Sequence, residues 1–337
     1  MIPLLLSTAL ASAAPDEDAK PTILLDDTGL EIQSADGHRA LDFRLMAQLL
    51  ATLTKTGTDP AAAEAIVKRA RTQFRYADRQ HEFALMVQLE VGESASRPLL
   101  DARLDWWGHD HVELGLGYMI VPYSRAWNTP IPTVVAGERS VVSNQLAPGR
   151  RTGGYARLHS GDRKVEGWLG VYDPGAASAP FMPLLMARVQ VNPQGALPLD
   201  ESTIIGGDAE LKTGFGAAAR IEKDVDGNTV TGALVDGTLQ SGAFRVDADG
   251  ALLDTADGTT LATSAQAAVA VIPDLVTLGA RGSRVDEPTD GDRWIAEGFV
   301  NAYAIGPHLM VQVRYTGTFA DEAPDSHQVA LHTQAWF

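Results

Sequence analysis

Between His38 and Leu53 apolar and polar residues alternate almost without interruption. Leu41, Phe43, Leu45, Ala47, Leu49 and Ala51 fall on one face of an extended chain, and Asp42, Arg44, Met46, Gln48 and Thr52 on the other. A period of two belongs to a β-strand; a helix would scatter the same residues around its axis. The alternation resumes from Ile66 to Tyr76, where Ala70, Thr72, Phe74 and Tyr76 oppose Arg69, Arg71, Gln73 and Arg75. After a tight turn at Asp78, Arg79 and Gln80, it runs on from His81 to Val91. His111 to Ile120 and Leu309 to Tyr315 behave alike, and helical periodicity shows only briefly, around Pro60 to Ile66. The final stretch puts Val329, Leu331, Thr333, Ala335 and Phe337 on one face, with Gln328, Ala330, His332, Gln334 and Trp336 on the other.

Segments of this kind, bounded by turn signals, number sixteen. Short turns such as Gly161-Asp162 and Gly306-Pro307 alternate with longer connections such as 121–149. This pattern predicts an all-β fold, a transmembrane antiparallel β-barrel of about 16 strands, with short turns on the periplasmic rim and longer loops outside. The strand ending on Phe337 then pairs with the first, because hydrocarbon tolerates no open edge of unpaired N–H and C=O groups. Trp106, Trp107, Tyr118, Tyr123, Trp168, Tyr172, Tyr303, Tyr315 and Trp336 lie near strand ends, as interfacial girdles or ordinary core aromatics do.

Composition agrees. The chain has 32 Gly, 18 Pro and 45% apolar residues, which suits short strands and tight turns without a long apolar run for a membrane helix. An apolar run from Ile2 to Leu10 followed by Ala11-Ser12-Ala13 reads as a signal peptide, residues 1–13, with an apolar N-terminal strand as the rival reading. Residues 14–36, with Asp16, Glu17, Asp18, Asp26 and Asp27, read as a polar periplasmic leader, and 37–337 as the barrel. There is no cysteine, hence no disulfide, thiolate metal site or lipoprotein attachment site. The net charge of −16 argues against nucleic acid as a partner.

Several short pieces, in order, resemble the phosphate-selective porins O and P. They include Gly29-Leu30-Glu31-Ile32 before the first strand, the Arg-rich second strand, and Val121-Pro122-Tyr123 opening a long connection. Gly137-Glu138-Arg139-Ser140, Pro148-Gly149-Arg150-Arg151, Ala187-Arg188-Val189 and Asn192-Pro193-Gln194-Gly195 follow, then Arg281 and the closing hairpin. The resemblance implies sixteen strands, a homotrimer in outer-membrane lipid and lipopolysaccharide, and a third external loop, 121–149, folded inward as a constriction bearing Arg125 and Arg139. It also implies that lumen arginines, here Arg44, Arg69, Arg71 and Arg75, carry small anions by replacing their hydration with charge-assisted hydrogen bonds. At ~3.4 Å per residue the stripe from Arg69 to Arg75 is about 20 Å long. The rival reading pairs these arginines with Asp42, Glu82, Glu90, Asp101 or Asp105, where they brace the wall.

Two features depart from that family. Lysine is scarce, with Lys20, Lys55, Lys68, Lys164, Lys212 and Lys223 the whole set. The expected external loops carry Asp254, Asp257, Asp286, Glu287, Asp290, Asp292, Asp321, Glu322 and Asp325, which repel phosphate and suit divalent cations bridging lipopolysaccharide.

No catalytic, metal or cofactor reading survives. Gly108-His109-Asp110-His111 reads as a hairpin turn; the loop opening at Asp224 has Val235 where a calcium loop needs Glu. Ser143, His159 and Asp162 form no nucleophile motif, and Asp-Gly pairs at Asp36, Asp236, Asp249 and Asp257 read as turns. The leading expectation is a passive outer-membrane porin for small hydrophilic, anionic solutes. The alternatives are a non-conducting structural or adhesive barrel and a secreted β-sandwich.

Overall fold

A computed structural model of the chain describes residues 20–26, 29–93, 97–174, 182–224, 226–289, 291–321 and 323–337. The expected signal peptide, 1–13, lies outside them, as do Asp16, Glu17, Asp18 and Asp27 of the expected leader, Asp290 and Glu322.

Alternation becomes strand throughout. In chain order the strands are β1 (Thr22–Asp26), β2 (Gly29–Gln33), β3 (Arg39–Thr56), β4 (Ala62–Asp78), β5 (Phe83–Glu90), β6 (Leu99–His109), β7 (Val112–Ile120), β8 (Arg150–His159) and β9 (Val165–Tyr172). They continue with β10 (Leu184–Val191), β11 (Ala209–Lys223), β12 (Thr229–Gly242), β13 (Phe244–Thr255), β14 (Gly258–Ile272), β15 (Val276–Glu287), β16 (Gly291–Ile305), β17 (Leu309–Ala320) and β18 (Ser326–Trp336). Each strand from β3 to β18 pairs antiparallel with the next, and β18 returns to β3 in register from Ser326↔Thr56 to Trp336↔Met46. Phe337 and Leu45 exchange two further backbone bonds of 2.8 and 3.0 Å. The result is a closed antiparallel sixteen-stranded β-barrel. Closure removes the edge that alternating strands otherwise leave open.

The faces divide as the alternation requires. Leu45, Leu49, Leu53, Val329 and Leu331 are exposed on the outside, while Gln48, His332 and Gln334 are buried inside. An apolar exterior around a polar interior reverses the pattern of a water-soluble protein.

Three findings depart from expectation. First, the segment expected as a polar leader contains the β1–β2 hairpin, and β2 pairs Leu30–Gln33 against Ala40–Phe43 of β3. Each five-residue strand is too short to outweigh the aspartates around it in a sequence reading. Second, the connections do not simply alternate in length. The segment 192–208, at the rim that carries the C-terminus, is long and folds inward as a 3-10 turn at Glu201–Ile204, while 256–257 and 288–289 at the opposite rim are turn residues. Third, Asp236-Gly237 and Asp249-Gly250 are not turns: Asp236 and Asp249 are Cα partners in the middle of β12 and β13. A wide lumen that admits buried partners lets mid-strand aspartates stand where a soluble sheet would not.

The connection 121–149 also folds inward, with short helices α1 (Arg125–Asn128) and α2 (Val141–Leu146). Ser124 and Ser140 cap them, accepting from the Trp127 and Ser143 amides at 2.9 and 3.3 Å. Its Val121, Tyr123, Val142 and Leu146 pack against Trp168, Tyr172, Leu184, Met186, Leu234 and Val285 on β9, β10, β12 and β15. A second apolar cluster joins Val134, Val135 and Ala136 of this loop to Ile204 of the other inward segment and to Ala268 and Phe299 of the wall. The barrel thus holds a hydrophobic core on one side of its lumen.

Candidate functional site

The loop 121–149 crosses the lumen and is held at both ends of its path. Along β10 to β18 the wall mostly donates to loop carbonyls. Arg188 donates to Tyr123 O at 3.1 Å, Gln334 to Pro132 O at 2.8 Å, Asn301 to Val135 O at 2.7 Å, and Arg281 to Glu138 O at 2.7 Å. Ser140 Oγ donates to Asp249 at 2.7 Å, and the Val135 amide donates to Glu201 at 3.0 Å. At Gly137, φ is +71° and a Cβ would stand 2.6 Å from Gln312 Oε1, so backbone angle and close approach both demand glycine there.

Across the lumen the contact is ionic. Gln48 of β3 pairs with Arg69 but its neighbour Leu49 pairs with Val67, leaving Lys68 as the extra residue of a β-bulge. A bulge sets two neighbouring side chains against one partner. Here both turn to Glu138: Lys68 Nζ lies 2.7 Å from Oε1, and Arg69 makes a two-pronged contact of 2.7 and 2.9 Å. Burial alone would raise the Glu138 carboxyl; the Arg69 hydrogen bonds and the Arg69 and Lys68 charges outweigh it and hold the group well below the usual carboxylate range.

The expected site residues separate on this frame. Arg69, Arg71 and Arg75 do share the lumen face of β4, and all three are paired. Arg69 binds Glu138, Arg71 binds Glu90 at 2.8 Å, and Arg75 binds Asp42 at 3.2 Å. Arg44 stands half-buried on β3, with Gln73 as its Cα partner. Arg139 stacks 4.7 Å over the Trp127 ring and donates to the carbonyls of Ala126 and Thr129. Burial first, then repulsion from Arg150, Arg71 and Arg69, draws its pKa down to about 9, which leaves it charged at neutral pH.

Arg125 borders one small cavity together with Arg139 but makes different contacts. It is buried toward the opposite wall, where it donates to the carbonyls of Leu197 and Pro198 in the inward segment 192–208. A cavity of about 40 Å³ remains beside it, lined by Arg139, Ser140, Asp236, Asp247 and Asp249 among others. That is room for a few waters and no more.

Other basic residues were missed in the sequence. Arg103 binds Asp105 at 3.0 Å, Arg150 binds Asp101 at 3.3 Å, and Arg151 lies 3.8 Å from Glu222. Asp101, Arg103 and Asp105 alternate with Ala102 and Leu104, so their inward face was open to the same reading as β3 and β4. Nothing in the spacing around Lys68 marks a bulge.

Together these residues form two unlike walls. From β3 to the opening of β8, the side chains of Arg69, Arg71, Arg75, Arg103, Arg150 and Arg151 are between 11% and 28% exposed. Elsewhere Arg157, Arg188, Arg220, Arg245, Arg281 and Arg314 are between 1% and 8% exposed, packed under the inward segments or against neighbouring carboxylates. Within the near-wall pairs the arginine is generally the outer partner: Arg75 is 22% exposed against 13% for Asp42, and Arg150 14% against 5% for Asp101. Arg69 and Glu138 alone reverse the order. Among the described residues no group of three His, Asp or Glu is placed to hold a metal ion.

No protein-family model and no curated protein sequence matches the chain. Solved structures do. The outer membrane channel DcaP of Acinetobacter baumannii matches 93% of this chain and 99% of its own, with a TM-score of 0.63 at 13% identity. An anion-selective porin from Comamonas acidovorans matches 89% of this chain and all of its own (100%), with a TM-score of 0.64 at 9% identity. OprB of Pseudomonas putida matches 88% of this chain and 94% of its own, with a TM-score of 0.62 at 12% identity. The likeness is one of fold.

Proposed function

We propose that the chain is an outer-membrane channel through which small hydrophilic anions diffuse passively along the near wall of the lumen. The barrel, its apolar exterior and its structural neighbours support the membrane setting, with the rim bearing the C-terminus toward the periplasm. One observation carries the anion reading: on the near wall most arginines are more exposed than the carboxylates they bind, so the guanidinium is what a solute meets. Fixed guanidinium groups with spare N–H donors replace an anion's water without reorganising.

The test is a planar-bilayer measurement of the zero-current potential across a KCl gradient, before and after Arg75→Ala, Arg103→Ala and Arg151→Ala are combined. Anion-selective reversal that collapses in the triple variant is the expected result. Cation selectivity of the parent protein would sink the reading. Phosphate is not singled out as the solute: the bulge lysine, Lys68, is occupied by Glu138, and the far rim is acidic.

A homotrimer in lipopolysaccharide-bearing membrane is part of the proposal, since a barrel of similar fold, OmpT of Vibrio cholerae, is known in a trimer form (TM-score 0.57, 12% identity). The second reading, a barrel that conducts nothing, draws on the two inward segments that fill the far half of the lumen. It predicts no current from correctly folded protein.

A further inference from the structure

The outward apolar face does not stop at the seam where β18 meets β3. Cα partners run Ile23↔Ile32, Ile32↔Leu41, Leu41↔Tyr76 and Tyr76↔Leu85, a single row across β1 to β5. A second row runs Leu25↔Leu30, Leu30↔Phe43, Phe43↔Phe74 and Phe74↔Val87. The row between them, Leu24, Glu31, Asp42 and Arg75, faces the other way and is largely polar. Leu41, Phe74, Leu85 and Val87 are exposed on the outer face of the barrel, so Ile23, Leu25, Leu30 and Ile32 extend that same face. Ile23 is 68% exposed and Leu25 80%, far more than the side chains of a hairpin folded onto protein. The hairpin also occupies a defined place: β2 takes over the edge of β3 below Leu45, where Phe337 ends the pairing of β18.

We propose that the hairpin formed by β1 and β2 is a membrane-interface anchor, its Ile23, Leu25, Leu30 and Ile32 face lying in lipid at the periplasmic boundary and bracing the closing seam. The inference rests on the membrane reading above. Continuity with the lipid-facing band is one argument. Level is another: the two rows pass through Phe43, Phe74 and Tyr76, with the Phe43 and Phe74 rings 5.0 Å apart, and aromatics of this kind mark the membrane–water interface. Size is a third. Two strands about 17 Å long, with four outward apolar side chains, fall well short of the roughly 800 Å² per partner that a stable protein contact buries. Lipid needs no such area, because each apolar side chain partitions on its own account.

The absence of native cysteine gives each introduced thiol a unique label. Ile23→Cys and Leu25→Cys, with Leu49→Cys in mid-band and Lys20→Cys as an aqueous control, would each carry an NBD fluorophore. Each folded barrel, confirmed by heat-modifiable electrophoretic mobility, goes into dioleoylphosphatidylcholine vesicles containing lipid spin-labelled high on the acyl chain. The expected result is about twofold quenching by the spin-labelled lipid at positions 23, 25 and 49 and none at 20. Lipid quenching at 49 together with iodide quenching at 23 and 25 would overturn the anchor while leaving the membrane barrel intact. Iodide quenching at all positions would remove the membrane reading and the anchor with it. Disulfide-linked dimers of the unlabelled Ile23→Cys protein, with no lipid quenching of the labelled form, would overturn the proposal in favour of a second copy of the chain.

Discussion

The two walls of this barrel use the same residue to different ends. On the far wall arginine is structural: Arg188 is 1% exposed and grips Asp236 through bonds of 2.7 and 2.9 Å while donating to the loop at Tyr123. On the near wall the side chains of Arg75 and Arg151, 22% and 28% exposed, each lie against a single carboxylate, 3.2 Å from Asp42 and 3.8 Å from Glu222. Apolar neighbours make the difference. Tyr123, Val142 and Leu146 bring a hydrophobic layer down onto β9 to β15, and a charge trapped beneath it must be fully matched. Among the described residues no such layer covers β4 to β6.

The sharpest way to break the contrast is to unpair a far-wall charge. Arg188→Ala leaves Asp236 buried without its partner, and the expected loss is about 3–5 kcal/mol of stability. It should appear as a lower temperature for the heat-induced mobility shift, with anion preference unchanged in protein that still folds. A change in selectivity without a change in stability would erase the distinction between the walls. Near-wall substitutions should do the reverse: Arg75→Ala should cost at most about 1 kcal/mol, as partly exposed pairs do, and visibly lower the anion-to-cation permeability ratio.

Glu138 joins the walls, so its titration tests whether the loop is fixed across the lumen. Its pKa is depressed in the folded protein, which places its stabilisation above the unfolded value of ~4.3 and removes it only as pH falls through the lower folded value. In 1 M KCl, where the exposed rim carboxylates are screened, single-channel conductance should therefore stay level from neutral pH down to pH ~4 and change only in stronger acid. A transition centred at an ordinary carboxylate pKa would show that Glu138 does not clasp Lys68 and Arg69. Glu138→Gln should mimic the acid state at neutral pH and leave two uncompensated cations at the bulge, raising anion preference.

How much of this was legible follows from which physics is local. Strand alternation depends on neighbours two residues apart, so strands could be read from runs such as Leu41 to Leu49 and Val329 to Leu331, their number from the turn signals between segments, and the closing pairing from the need to leave no open edge. The inward turn of 121–149 was reached only through resemblance, because the contacts that hold it, such as Val135 to Asn301 and Glu138 to Arg69, join residues far apart in the chain. The inward fold of 192–208 had a faint local trace, apolar Leu197, Ile204 and Ile205 in a segment without strand periodicity. The split between Arg125 and Arg139 had none: two arginines on one loop look alike until the path of the loop shows which wall each meets.

The smallest expected effect concerns the rim rather than the walls. Asp254, Asp257, Asp321 and Asp325 are exposed at the end of the barrel away from the C-terminus, beside the pairs Arg284–Asp292 at 2.9 Å and Arg293–Glu287 at 3.5 Å. Exposed carboxylates act on a passing anion only within about a Debye length, ~8 Å at physiological salt. Changing all four to asparagine should raise anion conductance less than about twofold in dilute KCl and leave it unaltered at 1 M, where the screening length shrinks to ~3 Å. The near-wall arginines, meeting the solute at contact distance, should keep their influence on selectivity at both concentrations. If the rim effect survived high salt, the acidic residues would lie along the conduction path itself, and the selectivity of the lumen would have to be shared with them.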